Sequence, residues 1–445
     1  MNNLIKIFIV LAFLVIIPAC SQPTKIPEAN TASTNKAVTP QNENQAAYDK
    51  EINQGLELYK KALYEEALKS FNKAAELNPN SSAAWANISA SLVGLDRYEE
   101  ALKAGDKATE LDPNNSTAWS NKSAALLGLK RYEESLNNCN KAIELKPSFY
   151  QAWQNKGISL INMGNYEEAL KACEKAIEIR PNNSDAWGNK AVALVRQELY
   201  DETLKACDKA IELNPKNSNV WQTRSVALEK LERYEESLIA GDKTIELDPG
   251  NSAAWRTKGE VLNKLKRREE ALAAYDRSIE LNPDNYTTWC DKGFCLIGLK
   301  RYEDVLNACG KAIELNPNDY CALLNKGFAF GRLERFEEAL AAYNKAIETN
   351  LANPKAWRSK GLTLITLGQY QEALKAFDKI IELNPNDANA WYNKACSYSL
   401  QQDKQNALEN LAKAINLDAK YKEESKGDQD FKNIWEDVDF KSLVQ

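Results

Sequence analysis

The sequence predicts an all-α solenoid of helix pairs, and three observations carry that prediction. Tryptophan recurs at a fixed interval of 34 residues, at Trp85, Trp119, Trp153, Trp187, Trp221, Trp255 and Trp289. Leu323 takes the next slot, and Trp357 and Trp391 resume the series. Proline keeps the same interval from Pro79 to Pro317 and again at Pro385, with Leu351 the one break. Within each interval apolar residues fall twice at helical spacing. Two helices this short cannot bury their apolar faces alone, so neighbouring pairs must stack to supply the core.

In chain order, residues 1–19 read as an export leader. Lys6 precedes an unbroken apolar run from Ile7 to Ile17. With Leu4 and Ile5 the run spans about 21 Å as a helix, short of the roughly 30 Å of a bilayer core. That length fits a signal-peptide core rather than a spanning helix. The run ends in Ile17-Pro18-Ala19-Cys20, which resembles the lipobox of prokaryotic lipoproteins. Pro18 departs from the alanine or serine usual there. The resemblance implies diacylation (palmitate-type) of Cys20, cleavage before it, and a lipid anchor on the extracytoplasmic side of a bacterial or archaeal cell envelope. Residues 20–47 hold three prolines, no aromatic residue and no apolar periodicity. They are expected to form a disordered tether with a reach on the order of 30 Å.

Residues 48–421 hold the repeats. The interval STAWSNKSAALLGLKRYEESLNNCNKAIELKPSF (116–149) shows their logic. Trp119, Ser123, Leu126 and Leu127 lie on one face of a first helix, here called helix A. Tyr132, Ser135, Leu136, Cys139, Ala142 and Ile143 do so in a second, helix B. A turn at Gly128-Leu129-Lys130 separates them. Glu133 and Glu134 open helix B and Lys141 sits near its end, matching the macrodipole; Pro147 stops it. Eleven such intervals run without insertion, starting at Tyr48, Ser82, Ser116, Tyr150, Ser184, Ser218, Ser252, Tyr286, Tyr320, Pro354 and Ala388. Residues 422–445 include DQDFKNIWEDVDFKSLVQ, which puts Phe431, Ile434, Trp435 and Val438 on one face of a predicted C-terminal capping helix.

Length and pattern resemble the tetratricopeptide repeat: Trp at position 4, a small residue at 8, Leu at 11, Tyr at 17, Ala at 20 and 27, Pro at 32. The resemblance implies a right-handed superhelix whose helices A line a concave groove, with positions 2, 5, 6, 9 and 12 meeting peptides. On this chain the implied groove residues are Asn87, Asn121, Asn155, Asn189 and Asn325 at position 6, Arg256 and Arg358 at 5, and Phe294 and Phe328 at 9. Position 6 asparagines serve either a peptide backbone or a bond between helices; the residues alone leave both open. Position 9 is otherwise neutral or apolar, as at Ala90, Ala124, Ile158, Val192, Val226 and Leu362. No repeat has asparagine at 9, so the carboxylate-clamp pattern of chaperone-tail binders is missing.

Several function classes recede on composition. The chain has no histidine, which removes the common catalytic triads and most catalytic zinc sites. No Gly-rich phosphate loop occurs, and the net charge of −6 gives no basic domain for nucleic acid. Only 24 residues follow the repeats, too few for a catalytic domain. The expectation is therefore a protein-binding scaffold, not an enzyme, with no cofactor or metal. It would serve assembly of a cell-envelope complex. The alternative is a carrier for an anionic envelope glycopolymer. That role would use the Lys/Arg row at position 7: Lys122, Lys156, Lys190, Arg224, Lys258, Lys292, Lys326, Lys360 and Lys394. Acids at position 29 in ten repeats, Glu76 to Glu382, are the expected internal neutralisers of that row.

Cys139, Cys173, Cys207 and Cys309 share position 24 and are expected to be buried free thiols between the two helices. In WCDKGFC (289–295), Cys290 and Cys295 sit about 140° apart around one helix, too divergent to grip one metal. Cys290 faces the groove, where Cys321 of the next repeat is its candidate neighbour.

Overall fold

The computed structural model describes residues 40–445, with side chains from residue 44 onward. The leader, Cys20 and most of the expected tether lie outside the described residues. Two compact bodies divide the chain, one ending at Pro249 and one running Gly250–Gln445. Repeats 1–6 build the first; repeats 7–11 and the C-terminal segment build the second. Helix A fills positions 1–13 and helix B positions 17–30 in every repeat but the first, as in Ser116–Gly128 with Tyr132–Leu145. No strand occurs among the described residues. The chain is an all-α solenoid of stacked pairs.

Both ends differ from expectation. The first helix A starts at Pro40 and runs to Lys60, so it enters the stretch read as tether. Pro40 suits a first helical position, and the Gln, Glu and Ala that follow propagate a helix already nucleated by packed turns. That stretch lacks core residues, but an extension needs none. At the other end, no single capping helix forms. Lys420–Gly427, a 3-10 turn Gln429–Ile434 and Val438–Val444 follow one another. Asp428 and Asp437 restart the chain by accepting the amides of Asp430 and of Asp439 and Phe440. The breaks bury Phe431, Ile434, Phe440 and Val444 and leave Val438 79% exposed.

Each pair closes at positions 8 and 24, where the two helices touch and their sizes compensate. Gly55 meets Phe71, Gly259 meets Tyr275, Gly327 meets Tyr343, and Gly361 meets Phe377. A Cβ on Gly327 would stand 2.5 Å from the Tyr343 ring, and one on Gly259 2.6 Å from Tyr275. Serine at position 8 goes with glycine at 24 in two repeats, Ser89 facing Gly105 and Ser225 facing Gly241, and with Cys139 in the repeat of Ser123. Cysteine is the intermediate size, against Gly157, Ala191 and Gly293. All four position 24 thiols are buried and free. Burial pushes Cys139 up to about 11 and Cys173, Cys207 and Cys309 up to about 12, so they act as apolar filler.

The turn between the helices follows one rule. Position 15 adopts positive φ in every repeat, from 58° to 64° at nine non-glycine residues such as Lys130, and at Gly164 and Gly368. The next amide then returns to the helix, as Arg131 N to Leu126 O at 2.9 Å, a Schellman closure. The left-handed residue is thus Lys130 rather than Gly128. Gly128 is small for another reason: a Cβ there would strike the Tyr98 ring of the preceding repeat.

Repeats join through the tryptophans. The indole Nε1 donates to the carbonyl of the proline six residues earlier in Trp85, Trp119, Trp153, Trp187, Trp221, Trp289 and Trp391, at 2.8–3.0 Å. Trp357 keeps the bond to the Leu351 carbonyl at 3.0 Å, because the acceptor is backbone. The missing proline therefore costs this contact nothing.

Compensation at 8 and 24 is testable by denaturation of the full chain. Gly327→Ala is expected to destabilise by about 1–3 kcal/mol through overpacking. Adding Tyr343→Cys, which recreates the natural Ala191/Cys207 pair, should make the double variant more stable than the sum of the singles by at least ~1 kcal/mol. Strict additivity would show that the two positions do not share one volume.

Candidate functional site

The groove positions divide by chemistry. In the first body they form a floor of amides tied to neighbouring helices. Asn121 Nδ2 donates to the Ala86 carbonyl at 2.8 Å. Asn155 Nδ2 donates to the Ser120 carbonyl at 3.2 Å and to Ser123 Oγ at 2.9 Å. Asn183 Nδ2 donates to Gln154 Oε1 at 3.0 Å. In each case an amide ties one helix A to its neighbour. Asn87 and Asn189 are buried too, and Asn189 Nδ2 has no partner. Ile158 and Val192 complete this floor and are buried. The helix-to-helix role therefore accounts for Asn121 and Asn155.

In the second body the basic candidates are engaged. Arg256 is buried, its Nε donating to Asp291 Oδ2 at 2.7 Å and its Nη2 to Glu260. Burial works against its charge, but the two carboxylates prevail and its pKa is raised. Arg358 Nη2 donates to Asp387 Oδ2 at 2.8 Å, while its buried Nε has no partner. Asn325 Nδ2 lies 3.9 Å from Cys290 Sγ.

Three apolar side chains in the second body stand out from the floor. Phe294 is 59% exposed, Phe328 41% and Leu362 44%. All occupy position 9, on the helices A Tyr286–Gly298, Tyr320–Arg332 and Pro354–Thr366. The Tyr302 ring meets Phe328 edge-on with centroids 6.4 Å apart, and Arg332 lies 5.7 Å from the Tyr302 ring. The next position 9 is Cys396, which is buried. There the C-terminal segment closes over helix A Ala388–Leu400. Asp428 accepts from Tyr392 OH at 2.6 Å and from Cys396 Sγ at 3.9 Å. Asn433 and Ser399 exchange two bonds of 2.7 Å. The exposed row thus ends where the tail begins.

Five of the nine position 7 cations are paired with acids, though not with the acids expected. Their partners are at position 25 of the preceding repeat: Lys122 with Asp106, Lys190 with Glu174, Arg224 with Asp208, Lys292 with Asp276 and Lys394 with Asp378. Lys156 takes Asn140 Oδ1 at 2.8 Å. Position 29 acids pair instead with position 26 on their own helix, as in Lys141 with Glu144. The cations also lie over the position 4 indoles, Lys122 at 5.3 Å from Trp119 and Lys360 at 5.5 Å from Trp357. Lys326 has Gly310 at the partner position and lies 5.8 Å from the Phe330 ring.

Family models for the tetratricopeptide repeat match residues 150–183 and 184–217, then 52–116, 90–149, 223–286 and 324–388, and 206–239 and 376–416. The chain belongs to the tetratricopeptide repeat family. No curated protein matches it significantly. Among solved structures, yeast Tom70 aligns over 88% of this chain and 100% of its own at 16% identity and a TM-score of 0.42. Pseudomonas aeruginosa pilF aligns over 49% of this chain and 99% of its own at 21% identity and 0.43. YrrB, described as having an unusual peptide-binding site, aligns over 42% of this chain and 96% of its own at 26% identity and 0.34.

Denaturation separates the tetratricopeptide groove's struts from its free surface. Asn155→Ala should cost about 1–2 kcal/mol, since it removes a buried amide bonded to another helix. Phe294→Ala should leave the unfolding midpoint nearly unchanged. Equal losses at both sites would contradict this division.

Proposed function

We propose that this tetratricopeptide chain is a non-catalytic scaffold that holds a protein or peptide segment against Phe294, Phe328 and Leu362. The observation that carries the reading is that exposed row, set on three successive helices A and bounded by the tail over Cys396. Neighbouring packed helices stand on the order of 10 Å apart, so the row spans about 20 Å. That length suits roughly six residues of an extended segment at about 3.3 Å each, with an apolar side chain at every second or third position. Aromatic anchors of this kind carry most of the affinity at interfaces. Five of the nine position 7 cations are already paired with acids at position 25, which interrupts the charge ribbon an anionic polymer would need, so the apolar row is the reading carried forward.

The same proposal places the scaffold at the cell envelope. Its support is the apolar leader and Ile17-Pro18-Ala19-Cys20, with Cys20 as the lipid-bearing residue and assembly of an envelope complex as the role.

Two measurements test this. Binding of short extended apolar peptides, followed by fluorescence anisotropy, should weaken at least ~10-fold in the triple variant F294A/F328A/L362A. It should change little between about 0.05 and 0.5 M salt, because the contact is apolar. Affinity that collapses with salt and survives the triple variant would overturn the groove assignment. Separately, wild type should partition with membranes and resist salt extraction, while Cys20→Ser should be found in the soluble fraction. A wild type released by salt alone would remove the anchor and leave the groove reading intact.

A further inference from the structure

Cys290 is position 5 of repeat 8 and Cys321 is position 2 of repeat 9, on the helices Tyr286–Gly298 and Tyr320–Arg332. Position 5 regularly reaches the start of the following helix A. Arg358 contacts Asp387, 29 residues on, and Arg256 contacts Asp291, 35 residues on. Cys321 lies between those two offsets from Cys290, one turn before Asn325 on the same helix face. The surroundings hold that pair in place. Asn325 Nδ2 lies 3.9 Å from Cys290 Sγ, which puts Cys321 beside that sulfur, and Asp319 Oδ1 caps the helix that carries both Cys321 and Asn325 through Ala322 N.

The pair is also asymmetric. Cys290 is buried, while Cys321 is exposed, alone among the described thiols. Interaction with the Cys290 thiol lowers the Cys321 pKa, and interaction with Cys321 together with burial raises that of Cys290. The exposed sulfur is thus the better nucleophile and the buried one sits against it as its resolving partner. The position 24 thiols differ: each is buried beneath its own repeat.

We propose that Cys290 and Cys321 are a redox-responsive dithiol that closes into a disulfide tying repeat 8 to repeat 9 inside the groove. The oxidant is a small-molecule disulfide. The Cys321 thiolate attacks one of its sulfurs, the S–S bond breaks, and one thiolate leaves. The Cys290 sulfur, giving up its proton, then displaces the second thiolate from the mixed disulfide. Two protein thiols and one external disulfide become one protein disulfide and two external thiols. Two electrons pass to the oxidant, and the two protons end on its thiols.

The position of the bridge gives it a consequence for binding, and that consequence rests on the groove reading above. Phe294 lies four residues after Cys290 and Phe328 seven after Cys321, both on the helix face that carries the cysteine. A bridge would therefore pin the spacing of two members of the exposed row. The cross-link itself does not depend on what the groove binds.

The test uses the full chain with glutathione disulfide as oxidant. The product is quenched in acid, unfolded, alkylated with iodoacetamide and mapped by mass spectrometry. The expected product has lost two hydrogens, joins the peptides containing Cys290 and Cys321, and leaves the remaining thiols alkylated. Cys290→Ser should stop the reaction at a glutathione adduct on Cys321. Phenylarsine oxide, which bridges paired thiols, should bind wild type stoichiometrically and lose at least ~10-fold in affinity in either serine variant, with helical content unchanged by circular dichroism. A stable glutathione adduct on wild-type Cys321, or a bridge involving other cysteines, would overturn the assignment. So would arsenical binding that survives both substitutions. Any of these failures leaves the Phe294–Phe328–Leu362 row untouched.

Discussion

The contact between positions 8 and 24 sets a fixed volume at the waist of every helix pair, and the rest of the solenoid depends on that volume being filled once. Gly327 with Tyr343, Ala191 with Cys207 and Ser225 with Gly241 are three solutions of the same packing problem. A side chain too large on one helix pushes the other off axis, and interiors at crystal-like density transmit such shifts rather than absorb them. Because each pair is the template for the next, an error of angle at one waist would be repeated along the stack. The cysteines of position 24 follow from this constraint. They are the size that fits between glycine and an aromatic ring, and their depressed acidity is a consequence of burial, not of a reactive role.

A second layer of order lies outside the waist. Tryptophan at position 4 bonds the carbonyl before it, carries the position 7 cation on its face, and that cation reaches back to position 25 of the preceding repeat. Three positions that look unrelated in the sequence thus form one joint between repeats. Individually such exposed ion pairs are worth little. Their effect here is to fix register, since indole, cation and carboxylate are satisfied together at only one offset. Repeat 9 shows what the joint tolerates. Leu323 replaces the indole by apolar burial, and Lys326 moves onto the Phe330 ring.

The fold was legible because its signals repeat eleven times at one period, so that chance matches cancel and the pattern of Trp85 is confirmed at Trp119 and beyond. The ends were less so for the same reason: each occurs once. The helix from Pro40 needs only propensity and a packed neighbour, neither of which a composition argument about residues 20–47 weighs. The breaks at Asp428 and Asp437 are capping choices, and apolar periodicity does not register them. For the charge row, the sequence presented acids at both 25 and 29. Only the geometry of stacked repeats decides that position 25 faces the neighbour while position 29 faces its own helix.

The candidate site was the least legible part, and the reason is physical. A polar residue on the inner face of a helix array can turn to a ligand or to the next helix, and the sequence is the same in both cases. Asn121 and Asn155 turn to the next helix because an unpaired carbonyl and amide held that closely would be costly. Arg256 does likewise once Asp291 and Glu260 are within reach. What is left for a partner is whatever the array cannot satisfy internally. Phe294, Phe328 and Leu362 meet that description, since solvent exposure of three aligned apolar groups is a cost that nothing in their own body removes. In this stacked array, then, Asn121, Asn155 and Arg256, which read as chemically capable, are consumed by stacking. The proposed binding surface is made by those that stacking leaves over.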